Sequence, residues 1–216
     1  MSSQTGGTDV CRNRWKSNMQ KTHIISALTD AQQALERLIS DEKALEAIEA
    51  AAALMADAVR GDCKVMSCGN GGSLCDAMHF AEEMTGRFRS DRRAYAAVAI
   101  ADASHIACVG NDYGYEQVFS RYVEAHGRAG DVLLAITTSG TSKNVVRAAE
   151  AARRRGVRVV ALTGRDGTPI TELADVAIVT PGGTDWADRV QELHIKCIHI
   201  LIELIERRLD PQNYSD

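Results

Sequence analysis

Apolar positions along the chain change period twice. Ile24, Ile25, Leu28, Ala31, Leu35, Leu38 and Ile39 recur at three- and four-residue steps, and Ala44–Val59 is alanine-rich and stops at Gly61, so the spacing predicts two amino-terminal helices. Short β-rich apolar runs then follow at Lys64–Ser67, Tyr95–Ile100, Val132–Ile136, Val157–Leu162 and Val176–Val179. Helical stretches fall at Ser73–Arg87, Glu116–His126, Ser142–Arg155 and near Ile170–Leu173. Near-continuous Val/Ile/Leu strands alternating with helices predict an α/β fold with a five-stranded parallel sheet covered on both faces. The last element, about Trp186–Leu209, carries Ile195, Ile198, Ile200, Leu201, Ile202, Leu204 and Ile205. It is too apolar around its circumference to be exposed on a monomer, which points to burial under the domain or in a subunit interface.

Length and composition add little to that picture and exclude more. With 216 residues, 45% hydrophobic, the chain suffices for one domain with a sizeable core. The division expected is an extension, tag remnant or over-called start at 1–18, disordered; the domain at 19–210; and a flexible tail at 211–216. The 25 basic and 29 acidic residues give a net charge of −4 without a lopsided half, which argues against a nucleic-acid partner. Arginines at 87, 89, 92, 93 and 153–155 read as solvated helix ends, with Arg87 kept as a candidate phosphate contact. No apolar run approaches about 18 residues, so no membrane span is expected. Six cysteines, at 11, 63, 68, 75, 108 and 197, form no CxxC pair, so neither a structural zinc site nor a secreted disulfide framework is indicated. A reduced, cytoplasmic protein is the expectation.

In open parallel sheets ligands bind beyond the carboxyl ends of the strands, where this chain has CGNGGS, ADASHIACVGNDYG and TTSGTS. In the third, Thr137, Thr138, Ser139, Thr141 and Ser142 set five hydroxyls around Gly140 just before a helix. Free backbone N–H groups and short hydroxyls suit a phosphate monoester, although Ser and Thr also serve simply as helix caps. There is no GxxxxGK[ST], and Gly69-Asn70-Gly71-Gly72 lacks the third glycine of a dinucleotide fingerprint. His79 and Glu83 stand one turn apart on the helix that CGNGGS opens. They could hold one divalent metal or make a simple surface contact; the HExxH signature is absent. Gln191, His194 and His199 lie on the last helix, with Gln191 and His199 separated by about 12 Å of axial rise. Spacing alone leaves open whether the two serve one site of one chain.

CGNGGSLCDAMHFAEEMTG (Cys68–Gly86) and ADRVQELHIKCIHILIELIE (Ala187–Glu206) closely resemble the bacterial phosphoheptose isomerases, also called sedoheptulose 7-phosphate isomerases, and the likeness runs from about Met19 to Arg208. It implies a single domain of the sugar isomerase (SIS) fold and one zinc ion per subunit. By matching position the implied zinc ligands are His79, Glu83, Gln191 and His199, with Glu83 and His199 as the catalytic pair. Implied substrate contacts are Asn70, Gly71, Gly72, Glu83, Asn111, Asp112, Thr137, Thr138, Ser139, Ser142 and Gln191. Thr137 stands where the family commonly has serine, and PGGTDWAD is one residue longer than usual. The resemblance further implies a homotetramer with sites between subunits, acting in heptose synthesis for surface polysaccharide. Such chemistry moves a proton between neighbouring carbons through an enediolate, with a carboxylate as base, a metal as Lewis acid and phosphate binding to fix geometry. Two alternatives are a non-catalytic regulator of the same fold, of the DnaA initiator-associating type, and an isomerase of another ketose phosphate. The presence of Glu83, Gln191 and His199 together weighs against the first.

Overall fold

A computed structural model describes residues 7–181 and 186–214, with side chains from Met19 onward. Helices α1 (Gly7–Ile39) and α2 (Glu42–Arg60) precede β1 (Val65–Cys68), α3 (Gly72–Thr85) and β2 (Ala97–Ala99). Then come α4 (Ala103–Tyr113), α5 (Ser120–His126), β3 (Val132–Thr137), α6 (Lys143–Arg154), β4 (Arg158–Thr163), α7 (Pro169–Leu173), β5 (Val176–Val179) and α8 (Ala187–Leu209). All five strands are parallel in the order β2-β1-β3-β4-β5. The order reverses at β1, so β1 and β3 are neighbours whose following chains leave in opposite directions. A crevice opens there at their carboxyl ends, the usual ligand position in such sheets.

Strand side chains alternate between two cores because successive residues face opposite sides of a sheet. Val132, Leu134 and Ile136 point to a core built with α2, α3 and α8, whereas Leu133 and Ala135 point to one built with α4, α5, α6 and α7. In α8, Leu193, Cys197, Ile198, Leu201, Ile202 and Ile205 are all buried in the first core. The choice left open for this helix is thus settled in large part by its own domain.

Three expectations need correction. The stretch after β2, read as a loop, contains helix α4. Its signal is weak because only Val109 is buried and Gly110 interrupts it; the Asp102 carboxylate caps its start by accepting from the His105 N–H at 2.7 Å. Residues 7–18, read as a disordered extension, continue α1; residues 1–6 lie outside the described residues. The flexible tail from 211 instead packs as far as Tyr214, whose hydroxyl donates to Glu206. The lengthened PGGTDWAD stretch falls largely on residues 182–185, also outside the described residues.

His194 is fully buried on α8, and neither ring nitrogen reaches a hydrogen-bond partner among the described residues. Burial lowers its pKa from 6.5 to about 4, with the adjacent Thr163 backbone opposing weakly. Between those two values the unfolded chain binds a proton that the folded chain refuses. Stability should therefore be flat above pH 6.5 and fall as pH drops towards 4, by up to about 3 kcal/mol. Urea unfolding at pH 7.5, 6 and 5 checks this. His194→Leu should be much less pH-sensitive than the parent, and equal slopes would exclude His194 as the source.

Candidate active site

The crevice between β1 and β3 is lined on one side by Asn70, Gly71, Gly72 and Ser73 and on the other by Ile136, Thr137, Thr138 and Ser142, with Gln191 of α8 closing it. Its volume is about 290 Å³. Sequence logic accounts for each wall. Gly71 stands at φ 54° ahead of α3, a conformation disfavoured for side-chain-bearing residues. Gly72 has no room for a methyl group: a Cβ there would lie 2.4 Å from Gln191 Nε2. Thr137 Oγ1 lies 3.1 Å from Ser142 Oγ and 3.5 Å from Ser139 Oγ, and the Thr141 hydroxyl donates to Ser139 Oγ at 3.1 Å. Ser142 sits at the N-cap of α6 without a side-chain cap bond, so its hydroxyl is not committed to the helix. Clustered hydroxyls beside a helix amino terminus are groups that can receive an anion.

Two residues not foreseen hold this crevice in shape. Asn70 and Asn144 exchange amide hydrogen bonds, Nδ2 to Oδ1 in both directions, at 2.9 and 2.8 Å. Tyr115 adds its hydroxyl to Asn70 Oδ1 at 3.0 Å, tying in the segment after α4. Asn144 is buried, and such a pair satisfies both amides at once. Only the helical phase of Asn144 could have flagged it. Asn111 and Asp112 lie on the exposed last turn of α4, where the Asn111 amide donates to Asp112 Oδ1 at 2.7 Å. Neither is among the residues that line the crevice.

The acid–base groups converge separately. His79 Nε2 and His199 Nε2 are 3.0 Å apart, and Glu83 Oε1 is 3.6 Å from His79 Nε2. His79 and His199 therefore meet within one chain. On the other side of the His79 ring, Glu82 Oε1, an unforeseen carboxylate, is 3.6 Å from Nδ1. Burial, and the neighbouring charges of His79 and Lys196, lower the His199 pKa and keep its ring neutral. Burial and then the Glu82 charge raise Glu83, with His79 and Arg92 pulling the other way. Asp76, one turn before His79, is pushed up to about 6 by burial.

Two imidazole nitrogens and a carboxylate form a donor set suited to zinc. Two ligands about 2.0–2.1 Å from one tetrahedral ion stand roughly 3.3 Å apart, close to the observed 3.0 Å between the ring nitrogens. His79, Glu82 and Glu83 also group within 4.8 Å among the described residues. The Gln191 amide, by contrast, lies against Gly72 in the hydroxyl-lined crevice, two turns along α8 from His199.

The chain matches the model of the SIS domain over residues 28–164. It is 56% identical over 191 residues to a phosphoheptose isomerase of Aeromonas hydrophila, covering 88% of this chain and 99% of that one. It is 58% identical to that of Tolumonas auensis, with the same coverage. The chain belongs to the phosphoheptose isomerase family. Two solved members share its fold. A phosphoheptose isomerase from Neisseria gonorrhoeae has a TM-score of 0.75 at 41% identity, over 88% of this chain and 98% of that one. One from Francisella tularensis has a TM-score of 0.81 at 33% identity, over 87% and 98%. As a member of this family the chain is a sugar-phosphate isomerase, which sets aside the reading as a non-catalytic regulator.

Two glycines separate scaffold from site. A methyl group on Gly69 would meet the Ser73 backbone at 2.6 Å, so Gly69→Ala should destabilise the fold by about 1–3 kcal/mol. Gly72→Ala meets only the flexible end of Gln191. It should keep the melting temperature within a few degrees yet raise KM for a phosphorylated ketose roughly ten-fold. Thermal melts and steady-state kinetics on both variants check this; an unaltered KM in Gly72→Ala would remove Gln191 from the binding crevice.

Proposed function

We propose that this chain interconverts sedoheptulose 7-phosphate and D-glycero-D-manno-heptose 7-phosphate, opening the route to nucleotide-activated heptose for surface polysaccharide. The observation that carries the reading is His79, Glu83 and His199 gathered on α3 and α8 beside a crevice ringed with hydroxyls. The phosphate binds at Thr137, Thr138, Ser139 and Ser142, and the amide of Gln191 holds the chain near that end. Lying two turns from Gln191 along α8, His199 meets the opposite, carbonyl end of an extended seven-carbon substrate. Phosphate binding far from the reacting carbons helps to fix the geometry there.

Glu83, its pKa raised by desolvation, takes the proton from the carbon next to the carbonyl and returns it to the adjacent carbon. His199, neutral, passes the hydroxyl proton between the two oxygens. His79, Glu83 and His199 would hold a zinc ion; Gln191, the fourth ligand expected from the family, lies two turns away against Gly72 and is read in this chain as a substrate contact. When bound, zinc would supply Lewis-acid stabilisation of the enediolate oxygen. The enzyme works in the cytoplasm, a reading supported by free cysteines at 63, 68, 75, 108 and 197. No helix among the described residues is long and apolar enough to cross a membrane.

The active form is a homotetramer. Support comes from α1, where Ile24, Ile25, Leu28 and Ile39 are each at least 59% exposed, a stripe that one subunit leaves uncovered. Light scattering at micromolar concentration should give about four times 23.4 kDa. A 23.4 kDa monomer would end the proposal.

Turnover of sedoheptulose 7-phosphate in deuterated water, followed by NMR, tests the chemistry. Aldose carrying deuterium at C2 is expected, because a proton held on Glu83 exchanges with solvent. Glu83→Gln and His199→Ala should each abolish turnover, chelation should lower it, and zinc should restore it. Full activity in Glu83→Gln would remove the base. No aldose under any metal condition would assign the site to another ketose phosphate.

A further inference from the structure

Arg92, whose place in a basic cluster reads as a solvated helix end, is instead one of the most enclosed charges of the molecule. Its side chain is 1% exposed and its Nε donates to Glu206 Oε1 at 2.6 Å, on a carboxylate that is 3% exposed. The rest of the guanidinium turns to the end of α3. Nη2 donates to the backbone oxygen of Glu83 at 2.7 Å, and Nη1 to those of Met84 at 3.0 Å and Gly86 at 2.9 Å. The last carbonyls of a helix have no intrahelical partners and carry its partial negative charge. One arginine distant from the helix satisfies several of them, including the carbonyl of Glu83 itself.

Glu206 is placed to make this matter for the site. It lies seven residues beyond His199 on α8, so His199, Glu203 and Glu206 form one stripe at three- and four-residue steps. The connection after α3 lies along that stripe. The Phe88 ring is 5.9 Å from the His199 ring, Arg89 pairs with Glu203 at 2.8 Å, and Arg92 pairs with Glu206. Behind Arg92 the Tyr95 ring stacks at 4.0 Å, and Tyr214 donates to the second oxygen of Glu206.

We propose that Arg92 and Glu206 are positioning residues: their buried pair fixes the end of α3 against α8 and so sets Glu83 and His79 against His199. The proposal rests on the isomerase reading of that site. Lysine cannot replace the arginine, because an ammonium lacks the planar fork that serves Glu206 together with the carbonyls of Glu83, Met84, Gly86 and Arg93. A shift of about 1 Å between catalytic groups can cost on the order of 100-fold in rate. The phosphate crevice lies two turns further along α8 and is held by the Asn70–Asn144 pair, so substrate binding should be spared.

The test uses the full-length protein with Arg92→Lys and Glu206→Gln, each first checked for folding by circular dichroism. In each, kcat on sedoheptulose 7-phosphate should fall at least ten-fold, with KM within about two-fold of the parent. Selective imidazole labelling supplies a readout independent of turnover. The cross-relaxation between the His79 and His199 rings seen in the parent should weaken in the variants, while the His126 signals stay in place. Glu206→Gln decides the matter if Arg92→Lys fails to fold. The idea is overturned by a folded variant that retains kcat within three-fold, or in which KM rises as much as kcat falls. Unchanged cross-relaxation also overturns it. A parent without isomerase activity refutes the functional reading alone, and the imidazole signals still judge the positioning.

Discussion

Helix α8 lies against α2 and α3, and the site depends on that contact. Leu193, Cys197, Ile198, Leu201, Ile202 and Ile205 leave water completely or nearly so. At roughly 1.5–3 kcal/mol for each large aliphatic side chain, this burial far outweighs any single polar interaction nearby. Because these residues fix the helix in rotation and in height, the remaining positions have no freedom of their own. Gln191 must face the crevice beyond β1 and β3, and His199 must face His79. Apolar packing thus prepays the orientation of polar groups that would otherwise lose it to solvent and to entropy.

The same enclosure sets the electrostatics. His199 is kept neutral and Glu83 less acidic chiefly by desolvation, with neighbouring charges adjusting the balance. Ion pairs divide accordingly. Arg154–Glu124 and Arg60–Asp57 lie in water, where such pairs contribute little. Arg92–Glu206 lies in the core, where the desolvation of both charges is offset only because nearly every donor and acceptor finds a partner. A pair that contributes little net stability can still impose one arrangement on two helices.

Sequence periodicity showed the strands because both faces of the sheet are covered, which turns Val132–Ile136 and Val159–Leu162 into unbroken apolar runs. It showed α8 for the same reason. It missed α4, whose Ala103–Tyr113 segment presents one buried residue and a glycine and depends on a single aspartate cap. Strand order was also out of reach, since each βα unit looks alike in one dimension; the adjacency of β1 and β3 exists only in the sheet. Within the site, hydroxyl clustering and the i, i+4 pair were legible because their groups are close in sequence. Asn144, Tyr115 and Arg92 were not. Their roles come from partners 74, 45 and 114 residues away, and local patterning gives an arginine in a basic cluster the same appearance whether solvated or buried.

The sheet also explains why two kinds of chemistry meet here. One core, with α2, α3 and α8, carries the ionisable groups; the other, with α4 to α7, supplies the Ser/Thr loop and the amino terminus of α6. In a parallel sheet these layers approach each other only at the strand ends, and only where the chain order reverses does the gap between them open. Here that gap lies between β1 and β3, so one glycine-rich turn serves both sides. Gly71 and Gly72 border the hydroxyl-lined crevice, and the helix they begin carries His79 and Glu83 two to three turns later. The distance from the crevice to the His79, Glu83 and His199 cluster is therefore fixed by helical rise along α3 and α8 together. Under the proposed function a substrate would span the two helices, and the buried Arg92–Glu206 pair, which ties the end of α3 to α8 beyond the site, would then bear on its geometry.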